Sequence, residues 1–261
     1  MIDPHCHILH ALDDGPKKVK ESIQLAQALS KAGYRMVVAT PHMIPGTVWM
    51  PSIEDITAQI TRLNQAMQIA GLYLKILPGM EIALDPQILN LLDSGCLLPL
   101  GGSSCLLIEP PFQQLPPKWH NILFTILAKG HRILLAHPER CAHLAARPDL
   151  VEELINAGIY LQVNWGSFLG HYGRLAKRTA KMLAVNGAIH CLATDSHHAQ
   201  SALFGEIQMA ARNLAAIIGK DNLRRLTMEN PMNVLRDRVI HPMTITDVMM
   251  NKNKKRWWQL W

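Results

Sequence analysis

Closely spaced cysteines are missing from this chain. Its five Cys stand at 6, 96, 105, 141 and 191, an odd number without metal-type spacing. That spacing argues against a thiolate metal centre and a disulfide scaffold, and reduced thiols are expected. The opening Met1-Ile2-Asp3-Pro4-His5 has no cationic start and no apolar run behind it, so no secretory signal is read. No apolar stretch reaches membrane-span length. These absences together point to the cytoplasm. Internal repeats and low-complexity tracts are absent as well. With 49% hydrophobic and 18% charged residues, the composition is that of a folded globular chain. The net charge of +6 is uneven: Lys252, Lys254, Lys255 and Arg256 carry four of it, which leaves +2 on the rest. A body so weakly basic argues against a nucleic-acid partner.

What is present is an alternation. Short apolar runs cover 1–7, 34–40, 72–81, 105–109, 132–137, 159–164 and 188–195. Helical patterns lie between them, at 19–32, 53–70, 86–92, 119–129, 150–157 and 175–186, with 202–218 and 221–226 after the last run. Glycines just past the helices mark their ends. Strand–helix units in series imply parallel strands with right-handed crossovers, apolar on both faces. An α/β barrel of one domain over 1–240 is the expected fold, with an open doubly wound sheet as the rival. Residues 241–261 read as a basic, Trp-rich tail.

Barrel enzymes build their sites at the C-terminal ends of strands. Six of the seven runs end on metal-competent side chains: His5 and His7 followed by Asp14, then His42, Glu81, Glu109, His137, and finally Asp195 with His197. The sixth run, ending Val163-Asn164-Trp165, offers no strong ligand. Alternate side chains of a strand share a face, so His5 and His7 point together while Cys6 turns away. Asp195 and His197 repeat that pattern. Imidazole with carboxylate and no thiolate suits manganese, iron or zinc. Nine ligands exceed what one ion needs, which implies two or three metals.

The motifs that carry these residues run in a fixed order: H-x-H with D-D-G, ATPH, PGMEI, LLIEPP, LLAHPER, LQVNWGS, LATDSHH and ENPMNVL, over roughly residues 1–235. In that order they resemble the PHP (polymerase and histidinol phosphatase) superfamily. Within it they are most similar to the manganese-dependent protein-tyrosine phosphatases of bacterial capsule and exopolysaccharide synthesis. The resemblance implies a distorted (β/α)7 barrel and three metals, Mn2+ first and Fe, Co, Zn or Mg as alternatives. It places His5, His7, Glu81 and Asp195 around one ion. Glu81 bridges to a second held by Glu109 and His137, and Asp14, His42 and His197 hold the third. Arg140 matches the family's phosphate-contacting arginine, and Glu139 is expected to support the site from behind the ligands. The expected catalytic set is Arg140, Asp195 and His42, and the expected substrate contacts are Arg140, Trp49 and His198. The implied substrate is a phosphotyrosine protein, a bacterial tyrosine kinase of capsule synthesis.

Two departures bear on the substrate. The loop after His42 has no basic residue, and the stretch after His198 lacks the second arginine that many relatives carry. Arg174 or Arg178 is the candidate replacement, and His171 or Tyr172 the candidate proton donor. These gaps keep a small-molecule phosphatase such as a histidinol-phosphate hydrolase as the first rival. A PHP nuclease and a non-catalytic, membrane-recruited binding module follow. A separate pattern, Cys141-x5-Arg147, imitates a cysteine-dependent phosphatase but lacks glycines to cradle a phosphate. In the tail, four cations beside three tryptophans suit weak contact with an anionic membrane surface. An oligomer remains open at this point.

Overall fold

The structure is a computed structural model that describes residues 1–240 and Met243. The expected tail contact therefore lies outside the described residues.

Nine strands form: β1 (Ile2–Cys6), β2 (Met36–Ala39), β3 (His42–Met43), β4 (Lys75–Pro78), β5 (Glu81–Ala83), β6 (Cys105–Glu109), β7 (Arg132–Ala136), β8 (Tyr160–Asn164) and β9 (Cys191–Ala193). Every pairing is parallel. One sheet runs β1-β2-β4 and the other β3-β5-β6-β7-β8-β9. The nine reduce to the seven expected strands, because β2 with β3 and β4 with β5 are single passes broken by a jog. Gly79 sits in the second jog, where a Cβ would come within 2.9 Å of Val38 Cγ1, so the bend leaves no room for a side chain.

The two ends of the array meet at β1 and β9, which an open doubly wound sheet would keep apart. They are not joined by a ladder. A single bridge pairs Cys6 with Ser196, supported by His7 N to Ser196 O (3.1 Å) and Asp195 N to His5 O (3.0 Å). Below it the Asp3 carboxylate accepts from Thr194 N (3.1 Å) and Thr194 Oγ1 (2.6 Å), doing with a side chain what a longer strand would do with backbone. The barrel is thus distorted and not closed by continuous pairing.

Eleven α-helices are described: α1 (Val19–Lys31), α2 (Ile53–Ile69), α3 (Ile88–Asp93), α4 (Trp119–Ala128), α5 (Ala142–Ala146), α6 (Pro148–Asn156), α7 (Trp165–Leu169), α8 (Gly173–Val185), α9 (Leu203–Ile218), α10 (Lys220–Arg224) and α11 (Asn230–Leu235). Local sequence sets their ends. Ser52 and Asp55 form a reciprocal capping box at the start of α2, and Gly158, with φ of 86°, takes the left-handed turn after α6. The sequence reading misses α5, α7 and α11, because one or two turns are too short to show a 3.6-residue period.

The strands are buried on both faces, and alternate residues join different clusters. In β7, Ile133 and Leu135 face the helices, while Leu134 and Ala136 join Val38, Leu107 and Cys191 in the interior cluster. That interior packing fills the barrel and leaves the strand ends as the place for polar chemistry.

Candidate active site

β1 brings His5 and His7 to the barrel mouth, both buried, and turns Cys6 away to lie 3.4 Å from Ser196 O. The ring nitrogens are committed by their partners. His5 Nδ1 lies 2.9 Å from Gln162 Oε1, and His7 Nδ1 lies 2.7 Å from Asp13 Oδ2. Each Nδ1 then carries the proton and each Nε2 presents a lone pair. Those two Nε2 atoms are 3.2 Å apart. Glu81 Oε1 is 3.2 Å from His5 Nε2, Glu81 Oε2 is 3.1 Å from His7 Nε2, and Asp195 Oδ1 is 3.4 Å from both. Acceptor atoms converge here with little to donate between them.

The other candidate ligands continue the cluster. His137 Nε2 is 3.0 Å from Glu81 Oε1, 3.6 Å from Glu109 Oε1 and 4.0 Å from Asp195 Oδ2. His42 Nδ1 reaches Glu81 Oε2 (3.0 Å) and Glu109 Oε2 (3.8 Å), and its Nε2 faces Asp14 Oδ1 at 3.6 Å. His197 Nε2 is 3.2 Å from Asp14 Oδ1. All nine expected ligands therefore stand together. Three groups have ligand atoms close enough for one ion each: His5, His7, Glu81 and Asp195; His42, Glu81 and Glu109; and His7, Asp14, His42 and His197. His7 and His42 thus reach across more groups than the family pattern assigns them.

The donor set fits divalent metals. His42 Nδ1 and Glu81 Oε2 are buried 3.0 Å apart, and yet neither has a hydrogen-bond partner. Buried polar atoms left unpaired beside imidazole and carboxylate donors suit a metal ion.

Electrostatics follow from the same crowding. Burial would lower the His5 pKa, but Glu81 and Asp195 raise it to about 9. Burial would raise Asp195, but His5, His7 and His137 hold it well below the carboxylate range. Burial with the charges of Glu81 and Asp195 pushes Glu109 up to about 9. A bound cation would oppose the upward shifts of His5 and Glu109 and would favour the ionised form of Asp195 further.

Two of the candidate ligands occupy left-handed backbone, His137 at φ 28° and Asp195 at φ 49°. Such conformations cost about 1–3 kcal/mol each and persist when the surroundings fix them. Asp195 is fixed by Arg140 Nη1 (2.7 Å) and Asn164 Nδ2 (2.8 Å), both donating to Oδ2. The Arg140 guanidinium lies 4.5 Å from the Phe112 ring centre and 4.1 Å from that of Tyr172. Glu139 accepts from Asn164 N (3.0 Å) and Ser167 Oγ (2.7 Å), and burial pushes its pKa up to about 7.

The remaining candidates separate. Trp49 stacks on His42 at 5.3 Å and 15°. His198 lines a cavity of about 440 Å³ with His171, Tyr172, Asp195 and His197. His171 is held by Glu206 at 2.8 Å. Burial and the charge of Asp195 raise the Tyr172 phenol well above its usual range. Arg174 and Arg178 lie on exposed positions of α8, and Arg140 is the arginine that touches the cluster. The Cys141-x5-Arg147 pattern fails: Cys141 is buried with its thiol pKa raised by burial, and Arg147 is paired with Asp149 at 2.6 Å.

Sequence reasoning missed Asp13, Gln162 and Asn164. The signal existed for the last two, as polar residues two apart in an otherwise apolar strand. Neither is a ligand type, so a search for ligands passes over them.

Residues 1–236 match the model of the family of capsular polysaccharide synthesis, CpsB/CapC. The chain is 32% identical over 240 residues to the tyrosine-protein phosphatase YwqE of Bacillus subtilis, covering 92% of this chain and 93% of that one. It is 29% identical to the tyrosine-protein phosphatase CpsB of Streptococcus agalactiae serotype III, covering 92% and 100%. Among solved structures, one from the study of YwqE of B. subtilis and CpsB of Streptococcus pneumoniae, metal-dependent tyrosine phosphatases, superposes with a TM-score of 0.86 at 31% identity, covering 93% of this chain and 97% of that chain.

Proposed function

The chain belongs to the CpsB/CapC family of capsular polysaccharide synthesis, and from that premise we propose that it is a metal-dependent protein-tyrosine phosphatase. The observation that carries the reading is the pair of Nε2 atoms 3.2 Å apart, facing Glu81 and Asp195 with both Nδ1 atoms already engaged. A bound divalent cation would satisfy all of these acceptor atoms at once. We assign the nine ligands to metals and take manganese as the native ion. Bound there, divalent ions supply an activated water near neutral pH and neutralise phosphoryl oxygens.

The protein's own groups do the rest. Gln162 and Asp13 fix the tautomers of His5 and His7, so their lone pairs face inward. Asn164 and Arg140 orient Asp195. Arg140, anchored through Nη1, offers the rest of its planar fork to the phosphoryl oxygens, where charge resides in a loose transition state. A phenol with a reference pKa near 10 leaves readily without a strong acid, which suits a site whose His171 is tied to Glu206 and whose Tyr172 holds its proton tightly. Trp49 and His198 border the place of the tyrosyl ring.

The phosphoprotein we propose is a tyrosine kinase of capsule synthesis, met in the cytoplasm. No helix among the described residues is long and apolar enough to cross a membrane. Domain 1–240 carries the activity, and the basic, Trp-rich sequence 241–261 is proposed as a weak attachment to the membrane surface. The test is steady-state hydrolysis by metal-stripped protein reloaded with Mn, Co, Mg or Zn, on matched phosphotyrosyl and phosphoseryl peptides and on histidinol phosphate. Metal-restored activity that favours phosphotyrosine is expected. Turnover confined to histidinol phosphate would reassign the substrate, and no turnover with any ion would remove the enzyme reading.

A further inference from the structure

A second concavity, of about 470 Å³, lies beside the cavity that Asp195 and His197 of the candidate ligand set line, which borders the metal site. Its walls come from α7, α8 and α9, with Phe168, Met209 and Leu214 among the apolar lining and Lys177 and Lys181 among the polar. The two cavities share a divider. His171 lines the first, Glu206 lines the second, and the two side chains meet at 2.8 Å. A chain that leaves the metal site across this ion pair enters the second groove.

The charge in that groove is unbalanced. Lys177 and Lys181 are one turn apart on α8, so they stand on one face, where like charges repel. Lys177 Nζ donates to Leu169 O at 3.3 Å, which holds the ammonium at the α7 end. Among the described residues neither lysine has a carboxylate within ion-pair distance, and the one acid in the lining, Glu206, is engaged by His171. An apolar floor rimmed by two unpaired ammonium groups complements a segment with both apolar and acidic side chains. Met209 is 49% exposed over that floor.

We propose that this groove is a second substrate site, which binds the acidic stretch of polypeptide flanking the phosphotyrosine. The inference rests on the phosphatase reading for its geometry, since the phosphotyrosine anchors the chain at the divider. It assigns selection among phosphoproteins to Lys177 and Lys181 and leaves the chemistry to the metal cluster.

The test uses the full-length, manganese-loaded protein and three probes. One is p-nitrophenyl phosphate, small enough to stay in the metal-site cavity. The second is a set of phosphotyrosyl peptides with paired glutamates moved stepwise along either flank. The third is the same peptides with Phe for phosphotyrosine, followed by fluorescence anisotropy, which needs no catalysis. In wild type, kcat/KM should peak at one placement of the glutamates and fall with added salt. Combining Lys177→Glu with Lys181→Glu should cut kcat/KM for that peptide about 10-fold, through KM, and leave p-nitrophenyl phosphate within about two-fold. The pair Lys177→Met and Lys181→Met should give part of the loss, which guards against a folding defect. Equal loss on both substrates overturns the proposal, as does indifference to glutamate placement. A change in oligomeric state on charge reversal would make the groove a subunit contact, and a crosslink from Lys181 to the lysines at 252–255 would give it to the chain's own tail; either overturns it. Absence of hydrolysis with every metal, together with anisotropy binding lost on charge reversal, would sink the phosphatase reading and keep the groove.

Discussion

His5 and His190 are both buried, one at each end of the barrel, and burial acts on them with opposite results. At the C-terminal ends of the strands, carboxylates face His5 and raise its pKa to about 9. At the other end His190 meets backbone: its Nδ1 accepts from Leu161 N at 3.1 Å, its carbonyl accepts from Asn230 Nδ2, and burial pushes its pKa down to about 4. The partners, not the depth, decide which charge state is favoured. The strand-end site gathers positive charge, whereas the pocket around His190 disfavours it. A difference of that kind can be broken residue by residue.

Asp195→Ala should give the largest effect. Its carboxylate meets His5, His7, His137, His197, Arg140 and Asn164, so its loss dismantles the cation-gathering end. Metal-dependent turnover should fall on the order of 10³-fold or more, with bound metal lost as measured by elemental analysis. Full activity with full metal content would refute the assignment. Arg140→Ala should be smaller and different in kind. Metal content should hold, while kcat/KM for a phosphotyrosyl peptide drops by roughly 2–4 kcal/mol of transition-state stabilisation. Unchanged turnover would remove Arg140 from the site. Asp14→Asn should be smaller still. This side chain is nearly half exposed, unlike Glu81 and Asp195, and touches the outer histidines His42 and His197. Metal affinity at one position should weaken roughly 10–100-fold, and activity should return in excess manganese. A loss that no metal concentration reverses would mean that the outer position is as preorganised as the inner one.

The cation-gathering end was more legible than the pocket around His190, for a physical reason. Ligand chemistry uses few residue types, and strand alternation puts His5 with His7 on one face by spacing alone. The same alternation marks Gln162 and Asn164 as sharing a face, but their roles exist only because the fold brings them to His5 of β1 and to Asp195. Of the adjacent pair Asp13 and Asp14, the second faces His42 and His197 as expected, while the role of the first in orienting His7 appears only in the fold. The rings of Phe112 and Tyr172 meet Arg140 only through tertiary packing. The barrel was legible through its seven apolar runs. Its imperfect closure was not, since the carboxylate of Asp3 replaces a ladder that no period reports.

His190 offers the test with the smallest effect on activity, because it lies far from the chemistry and speaks only to stability. Its folded pKa, about 4, is below the reference value of 6.5. Above pH 6.5 neither the folded nor the unfolded chain protonates it, and the burial is free of penalty. As pH falls from 6.5 to 4 the unfolded chain takes up the proton and the folded chain resists, so stability is lost, by roughly 3 kcal/mol across that window. His190→Gln removes the titration and weakens the bond to Leu161 N, which should cost about 1 kcal/mol at pH 7. Acid effects at the metal cluster are common to both proteins and cancel in the difference. Urea unfolding should therefore show wild type the more stable at pH 7 and the gap closing, then reversing, as the pH approaches 4. A gap that stays constant would mean that His190 accepts its proton in the folded state, and that the backbone end of the barrel tolerates the charge that the geometry excludes.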